Sequence, residues 1–233
     1  MNQIILIRHG ESETNAGLIS HGSIGDHKVS LTEKGIEQSK EAGKNLPRNF
    51  LCPRGLIYRS PYRRARQTCD YLLEGAGYKD RWDSNLIDIK IYEDPRLREV
   101  DHGYAPVAAQ EAMRKEHGWF YYRFERGESP ADCFDRCCTF LESLARQTDR
   151  KKFNCGHGQN SEPNVLIVSH GMTIRCFVMR FMHLSVEQFE TLANPDNGGM
   201  IRIMPLSVME RDGIEPQFKS GRWGITGLKF RES

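Results

Sequence analysis

Three short apolar runs in this 233-residue chain each end in basic side chains. Ile4 to Ile7 is followed by Arg8-His9-Gly10, Gly55 to Tyr58 by Arg59-Ser60-Pro61 with Arg63 and Arg64 just beyond, and Val165 to Val168 by Ser169-His170-Gly171. All three exits offer nitrogen donors, and two offer a histidine followed by glycine. A single histidine behind a strand is ordinarily a satisfied core or surface residue. Two in the same context need another explanation, because Arg-His-Gly alone should arise by chance in roughly one or two of a hundred chains of this length.

The chemistry that unites two imidazoles and several guanidiniums is phosphoryl transfer. Arginine presents a planar fork that matches phosphate oxygens and stays charged. A neutral imidazole can attack phosphorus and hold the phosphoryl group covalently, dividing a hard transfer into two easier ones. Arg8, Arg64 and a protonated His170 are expected to stabilise the charge on the equatorial oxygens where other enzymes use a metal. A proton donor is also required, since the leaving alkoxide is poor. The run Ile87 to Ile91 is followed by Asp94, Glu99 and Asp101. All three qualify chemically, and spacing alone does not choose among them.

These residues must be held at one edge of a sheet. Strand-like runs alternating with helical patterns predict an α/β fold: a doubly wound, mainly parallel sheet with helices on both faces and ligands bound beyond the strands' carboxyl ends. One helix is predicted over Thr32 to Leu46, capped by Thr32, and another over Pro61 to Ala76, with Ala65, Cys69, Leu72 and Ala76 on one face. A third opens at Ser129-Pro130-Ala131-Asp132, a capping-box-like start. A fourth follows His170-Gly171 and should bury Phe177, Val178 and Phe181. Met200 to Met209, the turn at Asp212-Gly213 and the basic-aromatic tail suggest a late strand or hairpin. Residues 104–128 are expected to form a small helical flap over the site, in which the aromatics Trp119 to Tyr122 and Phe124 anchor the flap on its own core and Arg114, Lys115, Arg123 and Arg126 form a solvated face. Residues 151–163 read as a surface-loop insertion. The whole, 1–233, is expected to be a single domain.

Composition narrows the partners. A net charge of +2 gives no basic excess on a nucleic-acid scale, and no apolar stretch approaches membrane-spanning length. A small-molecule phosphomonoester is therefore the expected partner, with no nucleic acid, no membrane and a cytoplasmic location; oligomeric state is left open. Seven cysteines, with Cys137 and Cys138 adjacent, do not suit a disulfide framework. Cys155 and His157 lack a second ligand pair, so no metal site is expected. No nucleotide-binding glycine fingerprint follows a strand, and no cofactor is predicted.

Leu6-Ile7-Arg8-His9-Gly10-Glu11-Ser12 with Asn15, Ser60 with Arg64-Ala65 and Gln67-Thr68, Leu97 with Glu99 and Gly103, and Val168-Ser169-His170-Gly171 resemble the histidine phosphatase superfamily. The branch is that typified by cofactor-dependent phosphoglycerate mutase, and the resemblance runs from Ile4 to about Gly199. It implies that His9 is the phosphorylated nucleophile, that Arg8, Arg64 and His170 bind the phosphoryl group, and that Glu99 is the acid and base. Asn15, Gly171 and Met172 are expected to contact substrate. The chain departs from the mutases after the acid, where Glu99-Val100-Asp101-His102-Gly103 replaces Glu-Arg-His-Tyr-Gly and the lysine-bearing insertion is missing. The expected activity is thus a phosphatase, with bisphosphate-dependent phosphoglycerate mutase as the alternative. A non-catalytic phospho-ligand binder is a second alternative, opposed by the presence of nucleophile, arginines and acid together.

Overall fold

A computed structural model describes residues 2–20, 22–48, 50–51, 55–78, 90–103, 107–153 and 163–231. Seven strands form one sheet among these residues: β1 (Ile4–Arg8), β2 (Leu56–Arg59), β3 (Ile91–Glu93), β4 (Val165–Ser169), β5 (Met200–Pro205), β6 (Phe218–Ser220) and β7 (Trp223–Thr226). Their spatial order is β3-β2-β4-β1-β5-β7-β6. β3, β2, β4 and β1 pair in parallel, and β5, β7 and β6 add antiparallel strands beyond β1.

Period-two alternation explains why both faces are covered. Ile4 and Leu6 of β1 and Val165 and Ile167 of β4 enter one core, and Ile5, Ile7, Leu166 and Val168 enter the other. On the second face lie α1 (Glu33–Lys44) and α2 (Arg63–Gly75), which contribute Ala42, Ala65, Cys69 and Leu72. On the first lie α4 (Pro130–Phe153) and α5 (Gly171–Met182), with Cys137, Phe140, Leu144, Ile174 and Phe177. Three shorter helices complete the set: α3 (Glu111–His117), α6 (Val186–Thr191) and α7 (Leu206–Arg211).

Most predicted elements form, with local differences. Thr32 caps α1 by accepting from the Gly35 amide, and Ser129 and Asp132 make reciprocal contacts at the start of α4. The third strand is Ile91–Glu93; Ile91, the last residue of the expected run Ile87 to Ile91, opens it, and residues 87–89 lie outside the described set. Phe181 is only partly buried. The stretch Met200 to Met209 divides: Pro205 ends β5 and leads into α7, and the hairpin is β6-β7. Helix α4 runs to Phe153, so a loop from Lys151 is not what the chain forms there, and residues 154–162, with Cys155 and His157, lie outside the described set.

In the flap region a short 3-10 turn (Val107–Gln110) precedes α3. Phe120 and Phe124 anchor in the main core and not in a separate core of the flap, and Tyr121 of the same aromatic set is exposed. Arg114 is not solvated: it is buried, with its guanidinium 4.1 Å from the Trp119 ring centre and 4.9 Å from that of Phe124. No helix of the described residues is long and apolar enough to cross a membrane.

Candidate active site

The chain order creates a crevice between β1 and β4. From β1 the chain crosses by α1 past β4 to β2, whereas from β4 it crosses by α5 past β1 to β5, so the two connections leave in opposite directions. Arg8 of β1 pairs with Ser169 of β4. The next residue of each strand is a histidine, and the His9 amide donates to the Ser169 carbonyl at 3.0 Å. Parallel register thus sets the two rings edge to face, with centroids 5.1 Å apart.

His9 is oriented by its own turn. Its Nδ1 lies 2.7 Å from the Gly10 carbonyl, which only accepts, so Nδ1 carries the proton and Nε2 keeps its lone pair. Arg64 Nε donates to that Nε2 at 3.2 Å. Burial, then the charges of Arg64 and Arg8, hold His9 well below the ordinary 6.5, so the ring is neutral. Gly10 is glycine because a Cβ there would stand 2.2 Å from the Gly35 carbonyl oxygen of α1.

Arg64 comes from the first turn of α2. The residue that aims it escaped sequence reasoning: Asp26, in the loop behind the nucleophile. The Asp26 carboxylate accepts from Nη1 at 2.8 Å and Nη2 at 3.0 Å, and its backbone carbonyl accepts from Nη1 at 2.7 Å. These contacts occupy the far end of the fork and leave its Nε edge facing His9. Arg8 is held by a 2.6 Å bond to the Pro195 carbonyl. Among the described residues, Arg8 Nε and His170 Nδ1 are buried without a hydrogen-bond partner. Two unmet polar atoms beside a paired arginine suit an acceptor-rich ligand such as a phosphoryl group.

His170 Nε2 meets Ser60 Oγ at 2.7 Å, and Tyr62 packs on the ring at 5.1 Å. Burial and then Arg64 keep this imidazole well below 6.5. Without an anion beside it the ring is neutral, and the protonated His170 expected from sequence belongs to the phosphoryl-bound site.

Of the three carboxylates, only Glu99 joins this group. Asp94 caps the turn before it and grips Arg96 at 2.6 Å, and Asp101 receives the Gly103 amide at 2.9 Å. Glu99 sits at the N-terminus of α5, within 3.4 Å of the Met172 amide and 3.3 Å of the Thr173 amide. Burial raises its pKa above the ordinary 4.5, with the Val100 amide and then Arg64 and Arg8 pulling against it. Glu99 Oε1 also accepts from the Val100 amide at 3.0 Å and lies 3.2 Å from the Thr173 hydroxyl, which donates at 2.7 Å to the Arg98 carbonyl. Arg136 of α4 fixes this segment through the Arg96 carbonyl at 2.6 Å and Glu128 at 3.0 Å, and Glu128 also pairs with Arg98.

The predicted contacts Asn15, Gly171 and Met172 have the following places. Asn15 Oδ1 accepts from the Ser12 amide and from Asn197 Nδ2 at 3.0 Å, so its amide nitrogen is the end left for a ligand. Gly171 opens α5 hard against Asn194, 2.7 Å from where a Cβ would stand. The Met172 amide is turned to Glu99. Ser60, Tyr62, Thr173 and Asn197 complete the surroundings; Tyr62 and Asn197 carry no signal in sequence, since each meets the histidines only through folding.

Comparison with known proteins identifies the family and the fold. Residues 4–206 match the histidine phosphatase superfamily (branch 1). The phosphoglycerate mutase-like protein AT74 of Arabidopsis thaliana is 41% identical over 88% of this chain, and the match takes in 65% of that protein's length. The broad-range acid phosphatase DET1 of Saccharomyces cerevisiae is 26% identical over 90% of this chain and 85% of its own. The solved mycobacterial glucosyl-3-phosphoglycerate phosphatase shares the fold, with a TM-score of 0.66 at 22% identity over 97% of each chain. With the strand-exit histidines, the arginine fork and the matched span in view, the chain belongs to the histidine phosphatase superfamily, branch 1.

Proposed function

We propose that this protein hydrolyses small phosphomonoesters through a covalent phosphohistidine at His9. The observation that carries the reading is the neutral His9, its Nε2 lone pair exposed to the Nε edge of Arg64 while Nδ1 is tied to Gly10. In the first step Nε2 attacks phosphorus, the phosphorus–oxygen bond of the ester breaks, and protonated Glu99 gives its proton to the leaving oxygen. In the second, the Glu99 carboxylate takes a proton from water as the water oxygen attacks phosphorus and the phosphorus–nitrogen bond breaks. Arg8, Arg64 and His170 receive the equatorial oxygens, and Asn15 and the Gly171 turn contact the substrate. The whole chain is read as one catalytic domain, with residues 107–128 shaping the entrance.

Hydrolysis is favoured over mutase chemistry by the state of two of the four basic residues, Arg114, Lys115, Arg123 and Arg126, that a carboxylate pocket in this region would draw on. Arg114 is sandwiched on aromatic rings, and Arg123 is paired with Asp132 at 2.7 Å. The names of related proteins, an acid phosphatase and a glucosyl-3-phosphoglycerate phosphatase among them, support the same side. The test is a panel of phosphomonoesters, phosphoglycerates included, incubated without metal or bisphosphate while free phosphate and isomerised product are both followed. Phosphate release is the expected result. Isomerisation that appears only with bisphosphate, with little free phosphate, would make the protein a mutase.

A further inference from the structure

The exit of β2 supplies a hydroxyl as well as cations. Arg59 of β2 stands opposite Val168 of β4, and the next amide, that of Ser60, donates to the Val168 carbonyl at 3.0 Å. Parallel register thus brings Ser60 beside His170, just as it brings His170 beside His9. Ser60 and His170 are both fully buried. The Ser60 oxygen accepts from the Tyr62 amide at 3.3 Å and lies 2.7 Å from His170 Nε2. On the other side of the ring, Nδ1 is buried without a partner.

A serine hydroxyl has one proton, and so has a neutral imidazole. The two protons can be arranged in two ways across this contact. If Nε2 carries the ring proton, it donates to Ser60. The Ser60 proton then has no acceptor among the described residues, and Nδ1 holds an unmet lone pair. If Nδ1 carries the ring proton, the Ser60 proton goes to Nε2, and the one unmet group is the Nδ1–H donor. Each unmet buried polar group carries a desolvation penalty, so the arrangement with one is favoured over that with two. The neutral ring therefore keeps a free N–H. After burial, the strongest influences on this ring are Arg64, His9 and Arg8, so it belongs electrostatically to the group around the nucleophile.

We propose that Ser60 is a positioning residue for phosphoryl transfer: its hydroxyl donates to His170 Nε2 and so selects the Nδ1–H tautomer, which presents a donor to a phosphoryl oxygen. That role in transfer rests on the phosphatase reading, whereas the tautomer rests on the contacts alone. A hydroxyl suits the place where other groups do not. A carbonyl oxygen opposite Nε2 would select Nε2–H and turn the bare Nδ1 lone pair on the anion. The hydroxyl also serves the charged ring. A proton taken up from solvent beside a bound phosphoryl group enters at Nε2, and the Ser60 oxygen turns from donor to acceptor, one lone pair meeting Nε2–H and the other the Tyr62 amide. Nδ1–H stays with the phosphoryl group in both states.

The experiment reads the tautomer directly. Nitrogen-15-labelled wild type and Ser60→Ala are compared at about pH 7.5, where a free histidine is mostly neutral, by long-range proton–nitrogen correlation of the imidazole rings. A His170→Asn sample identifies the His170 signals among the eight histidines, and thermal melting checks folding. The expected wild-type ring has a protonated Nδ1 and a bare Nε2, and Ser60→Ala loses that pure pattern, with Nε2 protonated in part of the molecules. A merely structural role for Ser60 would not move the ring proton. On p-nitrophenyl phosphate, kcat/KM of Ser60→Ala should be lower by a factor of about two to ten, the net worth of one hydrogen bond. A wild type with Nε2 protonated, a Ser60→Ala protein that keeps the wild-type tautomer, or an unchanged kcat/KM overturns the role of Ser60. A wild type that shows the Nδ1–H tautomer yet releases no phosphate overturns the phosphatase reading instead, and the tautomer assignment stands.

Discussion

Asp26→Asn tests whether the arginine fork is aimed by the loop behind the nucleophile. The carboxylate holds Nη1 and Nη2 of Arg64 at 2.8 and 3.0 Å, and the Asp26 side chain is 41% exposed against 6% for Arg64. Solvent discounts such a pair, so its loss should weaken substrate binding by about 1 kcal/mol, raising KM no more than about fivefold. The larger effect is on aim. Asparagine offers one acceptor oxygen and sets an NH2 group against one of the guanidinium donors, freeing the fork to turn its Nε edge from His9. A misplacement of about 1 Å at a reacting centre costs about a hundredfold, so kcat should fall about ten- to hundredfold. Steady-state kinetics on p-nitrophenyl phosphate, with thermal melting as the check on folding, gives both numbers. A KM that falls while kcat holds would refute the reasoning: Asp26 would then compete with the phosphoryl group for Arg64 instead of orienting it.

Other outcomes follow from the same geometry. Because Glu99 must be protonated for the first step and its pKa is raised above 4.5, kcat/KM should fall as pH rises through that raised value, while the depressed His9 pKa puts the acid limb well below 6.5; an acidic optimum is expected, and a profile flat into the alkaline range would count against Glu99. Glu99→Gln should remove the alkaline limb and slow alkyl phosphates far more than p-nitrophenyl phosphate, whose leaving group needs no acid. His170→Asn bears on stability. The unfolded histidine takes up a proton near 6.5 and the folded one only much lower, so the unfolded state binds more protons as pH falls below 6.5, and the wild type loses stability there that the variant keeps. The difference in unfolding free energy between about pH 7.5 and about pH 5.5 should shift by about 1.4 kcal/mol in the variant's favour; identical pH slopes would refute a buried neutral His170. Gly10→Ala forces a Cβ to 2.2 Å from the Gly35 carbonyl oxygen and should cost about 2 kcal/mol in urea unfolding, whereas an unchanged midpoint would mean that β1 and α1 are not packed backbone to backbone.

The parallel half of the fold was legible because strands buried on both faces read as continuous apolar runs, and β1, β2 and β4 do so. β3 was legible only at Ile91, because Tyr92 and Glu93 belong to an edge, where Glu93 is answered by Arg59 at 2.8 Å and the sequence looks polar. The Met200 to Met209 stretch misled for a different reason. Apolar residues continue through Leu206 and Met209, but Pro205 cannot donate to a ladder, so the chain turns helical there. At the site, His9, Arg64 and His170 could be anticipated because strand exits concentrate function. Glu99 was separated from Asp94 and Asp101 only by resemblance, and the physical distinction is its seat at the N-terminus of α5. Asp26 was invisible because its partner is 38 residues away in sequence and no local pattern marks a carboxylate that will face an arginine. Arg114 read as a solvated cation because charge predicts water, and its aromatic sandwich depends on where Trp119 and Phe124 fold.

The most direct test of the central claim is to trap the intermediate. Wild-type protein mixed rapidly with p-nitrophenyl phosphate and denatured under alkaline conditions, which preserve phosphohistidine, is digested and analysed by mass spectrometry. The account predicts one phosphoryl group on the peptide carrying His9, formed at least as fast as turnover, and the loss of both adduct and turnover in a folded His9→Ala variant. Turnover without an adduct, an adduct on another residue, or a His9→Ala protein that still releases phosphate would contradict it.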